Sequence, residues 1–169
     1  MAEPEGMDRA GSGGSADDCG KEPRPRGELL FRTLAMPGDA NPAGDIFGGW
    51  IMSQMDIAGS LLAREIAGGR VVTVAVDGMS FVSPVGIGDV VCCYGTCARI
   101  GRTSVTISLE LWVRKTDLEN GGMHPQRRLV THGRYVYVHV DRDGKPIALP
   151  ADAQRRAERG TGAASAGCA

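Results

Sequence analysis

Apolar residues recur along this chain in two periods, and each change of period marks a new element. Between Gly49 and Ala67 the spacing is helical: Ile51, Met55, Ala58, Gly59, Leu62 and Ile66 share one face, and Ser53, Asp56, Ser60 and Arg64 lie opposite. Gly68-Gly69 supplies the stop. Elsewhere the period is two. Glu28 to Ala35 reads as a first strand, ended by Pro37 and Gly38-Asp39. A valine-rich second strand runs from Arg70 to Phe81, and Asp77-Gly78 within it signals a bulge or a close approach. Pro84 and Gly86-Ile87-Gly88 make a turn into a third strand, Asp89 to Ile100. A fourth follows Gly101-Arg102 at once, so the two form a hairpin. In it Val105, Ile107, Leu109, Leu111 and Val113 alternate with Ser104, Thr106, Ser108, Glu110 and Trp112. Residues 117–127, with Asn120-Gly121-Gly122, read as a flexible loop. The fifth strand, Arg128 to Asp141, alternates Val136, Val138 and Val140 with Tyr135, Tyr137 and His139, and Asp143-Gly144 closes it.

One long apolar-faced helix among five antiparallel strands predicts an α+β fold, with a curved sheet wrapped around the helix. Gly78, Gly95 and Gly133 are the positions expected to admit curvature. Such a sheet keeps two open edges, which invites pairing with another copy, so at least a homodimer is expected. The globular part spans residues 27–150. Residues 1–26 are rich in Gly, Ser, Pro and charge, and are predicted to be disordered. The same is expected of residues 151–169, where a short polar helix from Ala151 to Arg159 would fray.

Composition changes this picture little. The chain has 169 residues, 42% of them hydrophobic, and a formal net charge of -1, which suits one core and speaks against a dedicated nucleic-acid binder. Cys19, Cys92, Cys93, Cys97 and Cys168 show neither a C-x-x-C spacing nor a framework, so reduced thiols are expected. Residues 1–26 contain no apolar signal core, and no apolar run is long enough to span a membrane. A cytoplasmic location without a membrane span is the expectation. His124, His132 and His139 lie away from the helix start at spacings that make no metal site.

The loop Asn41-Pro42-Ala43-Gly44-Asp45-Ile46-Phe47-Gly48-Gly49 carries the chemistry. It sets the Asp45 carboxylate just before a helix start, where unpaired N–H groups and the helix dipole suit a developing negative charge. Gly48 and Gly49 let a substrate approach the backbone. A carbonyl oxygen aimed there is polarised as in an oxyanion hole, while Asp45 activates water or attacks directly. The same spacing also fits an Asp45 that only caps the helix or shapes the turn.

Leu34-Ala35-Met36-Pro37, the segment from Asn41 to Trp50, Met52-Ser53-Gln54-Met55-Asp56, Val71-Val72-Thr73-Val74 through Phe81, Gly88-Asp89-Val90-Val91 and Gly144-Lys145-Pro146 together resemble the YciA-type acyl-CoA thioesterases of the hotdog fold, over about residues 28–150. The resemblance implies hydrolysis of short-to-medium-chain acyl-CoA to coenzyme A and a carboxylic acid, in fatty acid metabolism. It implies a homohexamer of three dimers, with Asp45 as the catalytic carboxylate. Sites in such enzymes lie between two hotdog units, so Asp56 of one subunit is expected to share a site with Asp45 of another. No cofactor is expected beyond the coenzyme A of substrate and product.

Coenzyme A needs a narrow slot for its pantetheine arm and cations for its phosphates. Asn41 and the run Asp77-Gly78-Met79-Ser80-Phe81 are the candidates for the slot, through Gly78, Ser80 and Phe81. Arg99, Arg102, Arg114 and Lys115, with Thr103 and Ser104, are the candidates for the phosphates, Arg102 first because it sits at the hairpin tip. Two other functions compete. A non-catalytic acyl-CoA binding or sensing module keeps the slot without needing Asp45. A hotdog hydratase or dehydratase needs a histidine beside its carboxylate, and the helix-start region has none.

Overall fold

A computed structural model of the chain describes residues 24–116 and 120–162. The predicted disorder over residues 1–23 and 163–169, and loop residues 117–119, lie outside the described residues. The elements are β1 (Glu28–Leu34), a 3-10 turn (Pro37–Asp39), α1 (Gly48–Ala67), β2 (Val71–Phe81), β3 (Val90–Ile100), β4 (Ser104–Thr116), β5 (Met123–His139) and α2 (Ala153–Gly162). The strands form one antiparallel sheet in the order β1-β3-β4-β5-β2. It curves around α1 in the hotdog arrangement, with β1 and β2 as its edges.

The face of α1 read from the sequence is the buried one: Ile51, Met55, Ala58, Gly59, Leu62 and Ile66 all reach the core, joined by Ala63 and Ala67. Gly68 ends the helix in the left-handed conformation, its N–H donating to the Arg64 carbonyl. The inward set of β4, from Val105 to Val113, meets the helix from below. On β5 it is the tyrosines that turn inward. Tyr135 and Tyr137 are buried, their rings stacked with centroids 6.4 Å apart. Each hydroxyl needs a partner there, and each finds the helix backbone: Tyr137 donates to the Asp56 carbonyl at 3.1 Å and Tyr135 to that of Met52 at 3.4 Å.

One expectation is sharpened and two are corrected. The register shifts at Asp77/Ser80, so Gly78 does mark a bulge. Gly95 and Gly133, however, stand in regular register on either side of Leu109. The space Gly95 leaves is filled by Leu30 and Leu109, whose methyls would lie 2.6 and 2.9 Å from an added Cβ. Its smallness serves packing. The loop predicted over 117–127 is in part strand: β4 runs on to Thr116, whose pairing with Met123 starts β5 early. The tail 151–169 is ordered in its first part, because α2 buries Ala153 and Ala157 in the core. Arg156 fixes α2 in place, bonding Asp152 and reaching the Glu65 carbonyl at the C-terminal end of α1.

The exposed apolar residues have a pattern as well. Val74 and Val76 on the edge strand β2, and Ile57 and Leu61 on the outer side of α1, face solvent in the single chain. An unpaired edge flanked by apolar side chains is a surface suited to a second protein chain.

Gly59 is where α1 comes closest to the sheet. A Cβ there would lie 2.3 Å from the Tyr137 hydroxyl and 3.0 Å from a Leu109 methyl. On an exposed helix Gly→Ala gains up to about 1 kcal/mol. Here Gly59→Ala is expected to destabilise instead, by about 1–3 kcal/mol from overpacking, read as a lower urea midpoint with unchanged slope.

Candidate active site

The loop before α1 is organised by Asn41. Its side-chain oxygen accepts the N–H groups of Ala43 and Asp45 at 2.9 and 3.1 Å, and its own N–H donates to the Asp45 carbonyl at 2.7 Å. Gly44, at φ +90°, supplies the left-handed residue this turn requires. The chain beyond is laid against the segment before β3. Asp45 bridges to Gly86, Ile46 bridges to Ala40, and the Ile46 N–H donates to the Val85 carbonyl at 2.9 Å. Both backbone groups of Asp45 are thereby fixed, while its carboxylate, on an exposed residue, accepts no hydrogen bond from the described residues.

Helix α1 starts without a cap. Phe47 holds the N-cap position, no side chain bonds the first turn, and no acidic residue lies in it. An aspartate so near a helix start is usually its cap; here Asp45 is not. The N–H groups of Gly48, Gly49 and Trp50 keep their donor capacity, at the positive end of the helix. Asp45, Ile46, Gly48 and Ile51 line one side of a cleft of about 410 Å³, and Phe81, Val82, Ser83, Pro84 and Val85 line the other. The Phe81 ring lies against Gly48, with Cζ 3.4 Å from where a Cβ would stand. Asp45, the Gly48 backbone at the helix start and apolar walls thus share one opening; Gly49 and Trp50 follow in the first turn without lining it. Chemically, N–H donors at a helix start beside an unbonded carboxylate are able to polarise a carbonyl oxygen and leave its carbon open to attack.

The other expected residues divide. Within one chain Asp56 does not join Asp45: it lies two helical turns on, about 12 Å along the axis from Gly48. Its carboxylate is not simply solvated either. It accepts the Thr73 hydroxyl at 2.7 Å and the Tyr137 hydroxyl at 3.3 Å. Burial, reinforced by the Asp56 charge, pushes the phenol of Tyr137 well above its usual value, and that of Tyr135 up to about 12 for the same reasons. Asn41 is expected at the coenzyme, but its side-chain oxygen is committed to the loop. Phe81 lines the cleft. Gly78 and Ser80 lie nearby on β2 without lining it, and the Ser80 carbonyl accepts the Thr131 hydroxyl.

The basic group is split. Arg102, Thr103 and Ser104 sit at the tip of the β3–β4 hairpin, at the far end of β3 from Gly86, about 30 Å away at strand rise. There the carbonyls of Arg102 and Thr103 accept the N–H groups of Leu149 and His139. Arg114 and Lys115 are at the near end. Arg114 approaches the His124 carbonyl at 3.4 Å, and Lys115 is ion-paired with Asp89 at 2.5 Å. The wall from Val82 to Val85 was missed because it has no periodicity; Ser83-Pro84 reads only as a turn. The role of Asp89 was equally hidden in a turn. No histidine lines the cleft.

Residues 43–119 match the family model described as the thioesterase superfamily. The acyl-CoA thioester hydrolase YciA of Salmonella typhimurium is 59% identical over 126 residues, covering 75% of this chain and 92% of that protein. Among solved structures, an aspartate-to-alanine mutant of a hexameric broad specificity acyl-coenzyme A thioesterase is 50% identical, with a TM-score of 0.73 over 80% of this chain and 95% of that one. A hexameric thioesterase from Yersinia pestis is 57% identical, with a TM-score of 0.70 over 76% of this chain and all of that one (100%).

The raised tyrosines contribute to an alkaline limit of stability, alongside the buried Cys93 thiol, which burial pushes up to about 12. Tyr135 and Tyr137 hold their protons more tightly folded than unfolded, so they contribute stability below the ordinary phenol value of 10.0 that is lost as pH rises through the folded values. Unfolding free energy from urea titration should be level in this respect up to about pH 9 and decline above about pH 10. Tyr137→Phe should flatten that decline.

Proposed function

Because the chain belongs to the acyl-CoA thioester hydrolases of the thioesterase superfamily, we propose that it hydrolyses short-to-medium-chain acyl-CoA to coenzyme A and a carboxylic acid at the cleft between Asp45 and Phe81. The observation that carries this is the pairing of an unbonded Asp45 carboxylate with an uncapped helix start in one opening. A thioester carbonyl has weak resonance stabilisation, so a positioned nucleophile and an oxyanion site are sufficient. The N–H groups of Gly48 and Gly49 receive the oxyanion, and Asp45 serves the attack, by drawing a proton from water or by attacking itself. The apolar side chains of Ile46, Ile51, Val82 and Val85 take the acyl chain. The reaction takes no cofactor beyond the coenzyme A carried by the substrate.

The working form is a homohexamer built from dimers, like the hexameric solved relatives. The open edge of β2, with Ile57, Leu61, Val74 and Val76, supports dimer formation there. Asp56, tethered to β2 by Thr73, then lies near that seam. Asp56 of the partner subunit completes the site around Asp45, and Arg102 with Thr103 and Ser104 reaches coenzyme A only from another copy. The location is cytoplasmic, in keeping with the free thiols of Cys92, Cys93 and Cys97. No described helix is long and apolar enough to cross a membrane.

Asp45→Ala is expected to lower kcat/KM on a series of acyl-CoA substrates by about a hundredfold or more, followed by free-thiol detection. Coenzyme A affinity should stay within about twofold, since the carboxylate serves the transition state. Turnover equal to wild type removes the proposal and leaves a binding module. Single turnover in ¹⁸O-water then tests the direct route: label in Asp45 marks an anhydride intermediate opened at the aspartyl carbonyl, whereas label in the product acid alone fits activation of water or an anhydride opened at the acyl carbonyl.

A further inference from the structure

Among the described residues Asp89 is the only charged side chain in the buried class, at 4% exposure. It lies outside the cleft lining. Its Oδ2 accepts two hydrogen bonds, from the Gly86 N–H at 2.8 Å and from Lys115 Nζ at 2.5 Å. A carboxylate taken out of water needs such partners, but the partner chosen has a consequence. Gly86 is the residue to which Asp45 bridges, and its neighbour Val85 receives the Ile46 N–H. The turn 86–89 is pinned elsewhere too: Ala35 exchanges hydrogen bonds with Gly88 and Asp89, and the Thr116 hydroxyl donates to the Gly88 carbonyl at 2.6 Å. Asp45 and Ile46 belong to no helix or strand and are set by the bonds of their own loop and by this turn.

We infer that the Asp89–Lys115 ion pair is a positioning device for the reaction: through the Gly86 N–H it fixes the backbone ledge that aims Asp45 at the acyl carbonyl. The inference rests on the hydrolase reading of Asp45. It also redefines Lys115, whose charge is spent on Asp89 rather than on a coenzyme phosphate. Arg114, the preceding residue on β4, reaches the His124 carbonyl and takes no part in the pair. Asp89 and Lys115 touch no reacting atom; they act through Gly86.

The test uses the full chain and four proteins: wild type, Asp89→Ala, Asp89→Asn and Lys115→Met, each checked for its oligomeric state. Displacement of a reacting group by about 1 Å costs up to about a hundredfold in rate. Asp89→Ala is therefore expected to lower kcat about tenfold or more with KM within about twofold. Asp89→Asn keeps an acceptor for the Gly86 N–H and should restore most of that loss. Lys115→Met should lower kcat about three- to tenfold with coenzyme A affinity within about twofold. Hydrogen exchange at the amides of Ile46 and Phe47 should quicken about tenfold in Asp89→Ala while the centre of β4 stays protected.

A raised KM and weakened coenzyme A binding in Lys115→Met, with kcat unchanged, overturns the inference and makes Lys115 a phosphate contact. Unchanged kcat and unchanged exchange in the Asp89 variants overturns it in favour of a plain turn staple. If Asp89→Ala does not fold, Asp89→Asn and Lys115→Met decide: wild-type kcat in both overturns the inference. A wild type inactive on every acyl-CoA overturns the hydrolase reading itself, and exchange still reports whether the pair fixes Ile46.

Discussion

The seating of α1 on the sheet is the contact on which everything else in this molecule depends. It is made by Gly59 over Leu109 and Tyr137, where one added carbon has no room. Gly95 and Gly133 flank Leu109 in the strands on either side. The tyrosine hydroxyls then tie the sheet to the helix backbone one turn apart along α1, at Met52 and Asp56. Apolar burial supplies the attraction, and the small residues set the distance at which it stops. With the middle of the helix fixed, its start has a fixed place as well, and the open N–H groups of the first turn are presented to the cleft.

What faces those N–H groups is built from segments with little regular structure. The Asn41 turn, the bridge from Asp45 to Gly86 and the buried Asp89 hold the loop by hydrogen bonds rather than by packing. The division suits a catalyst. A packed core fixes the dipole, which needs orientation only. Directional bonds fix the Asp45 backbone, from which its unbonded carboxylate projects. It also explains the missing cap. A side-chain cap stabilises a helix by about 1 kcal/mol, and with Phe47 in that position the first-turn N–H groups have no side-chain partner. Stability is given up locally, where α1 is already held by its buried face.

The fold was legible in the sequence to within a few residues, because each element buries one face and so writes its period into the chain. The β5 start and the docking of the C-terminal helix, read from the sequence as a fraying one, were not. Met123 enters the sheet because β4 is long enough to pair with it, and α2 forms because Ala153 and Ala157 find a groove beside α1 and β3. Both are tertiary effects acting on stretches with weak local preference. The basic patch shows the reverse error. Arg99, Arg102, Arg114 and Lys115 are close in sequence, but a hairpin separates its tip from its base by the full length of its strands.

The sequence alone determined the two periods, the helix stop at Gly68 and an aspartate placed just before a helix start. These are matters of spacing, and spacing is local. It also carried the resemblance that names the chemistry. Only the tertiary structure decided that Asp45 is not the helix cap and that Asn41 is spent on the loop. It also decided that Asp56 is bonded to Thr73 and Tyr137, and that Lys115 is matched to Asp89. Each of these is a question of which partner a polar group finds. Those partners lie up to 81 residues away along the chain and come within reach only when the sheet closes around the helix.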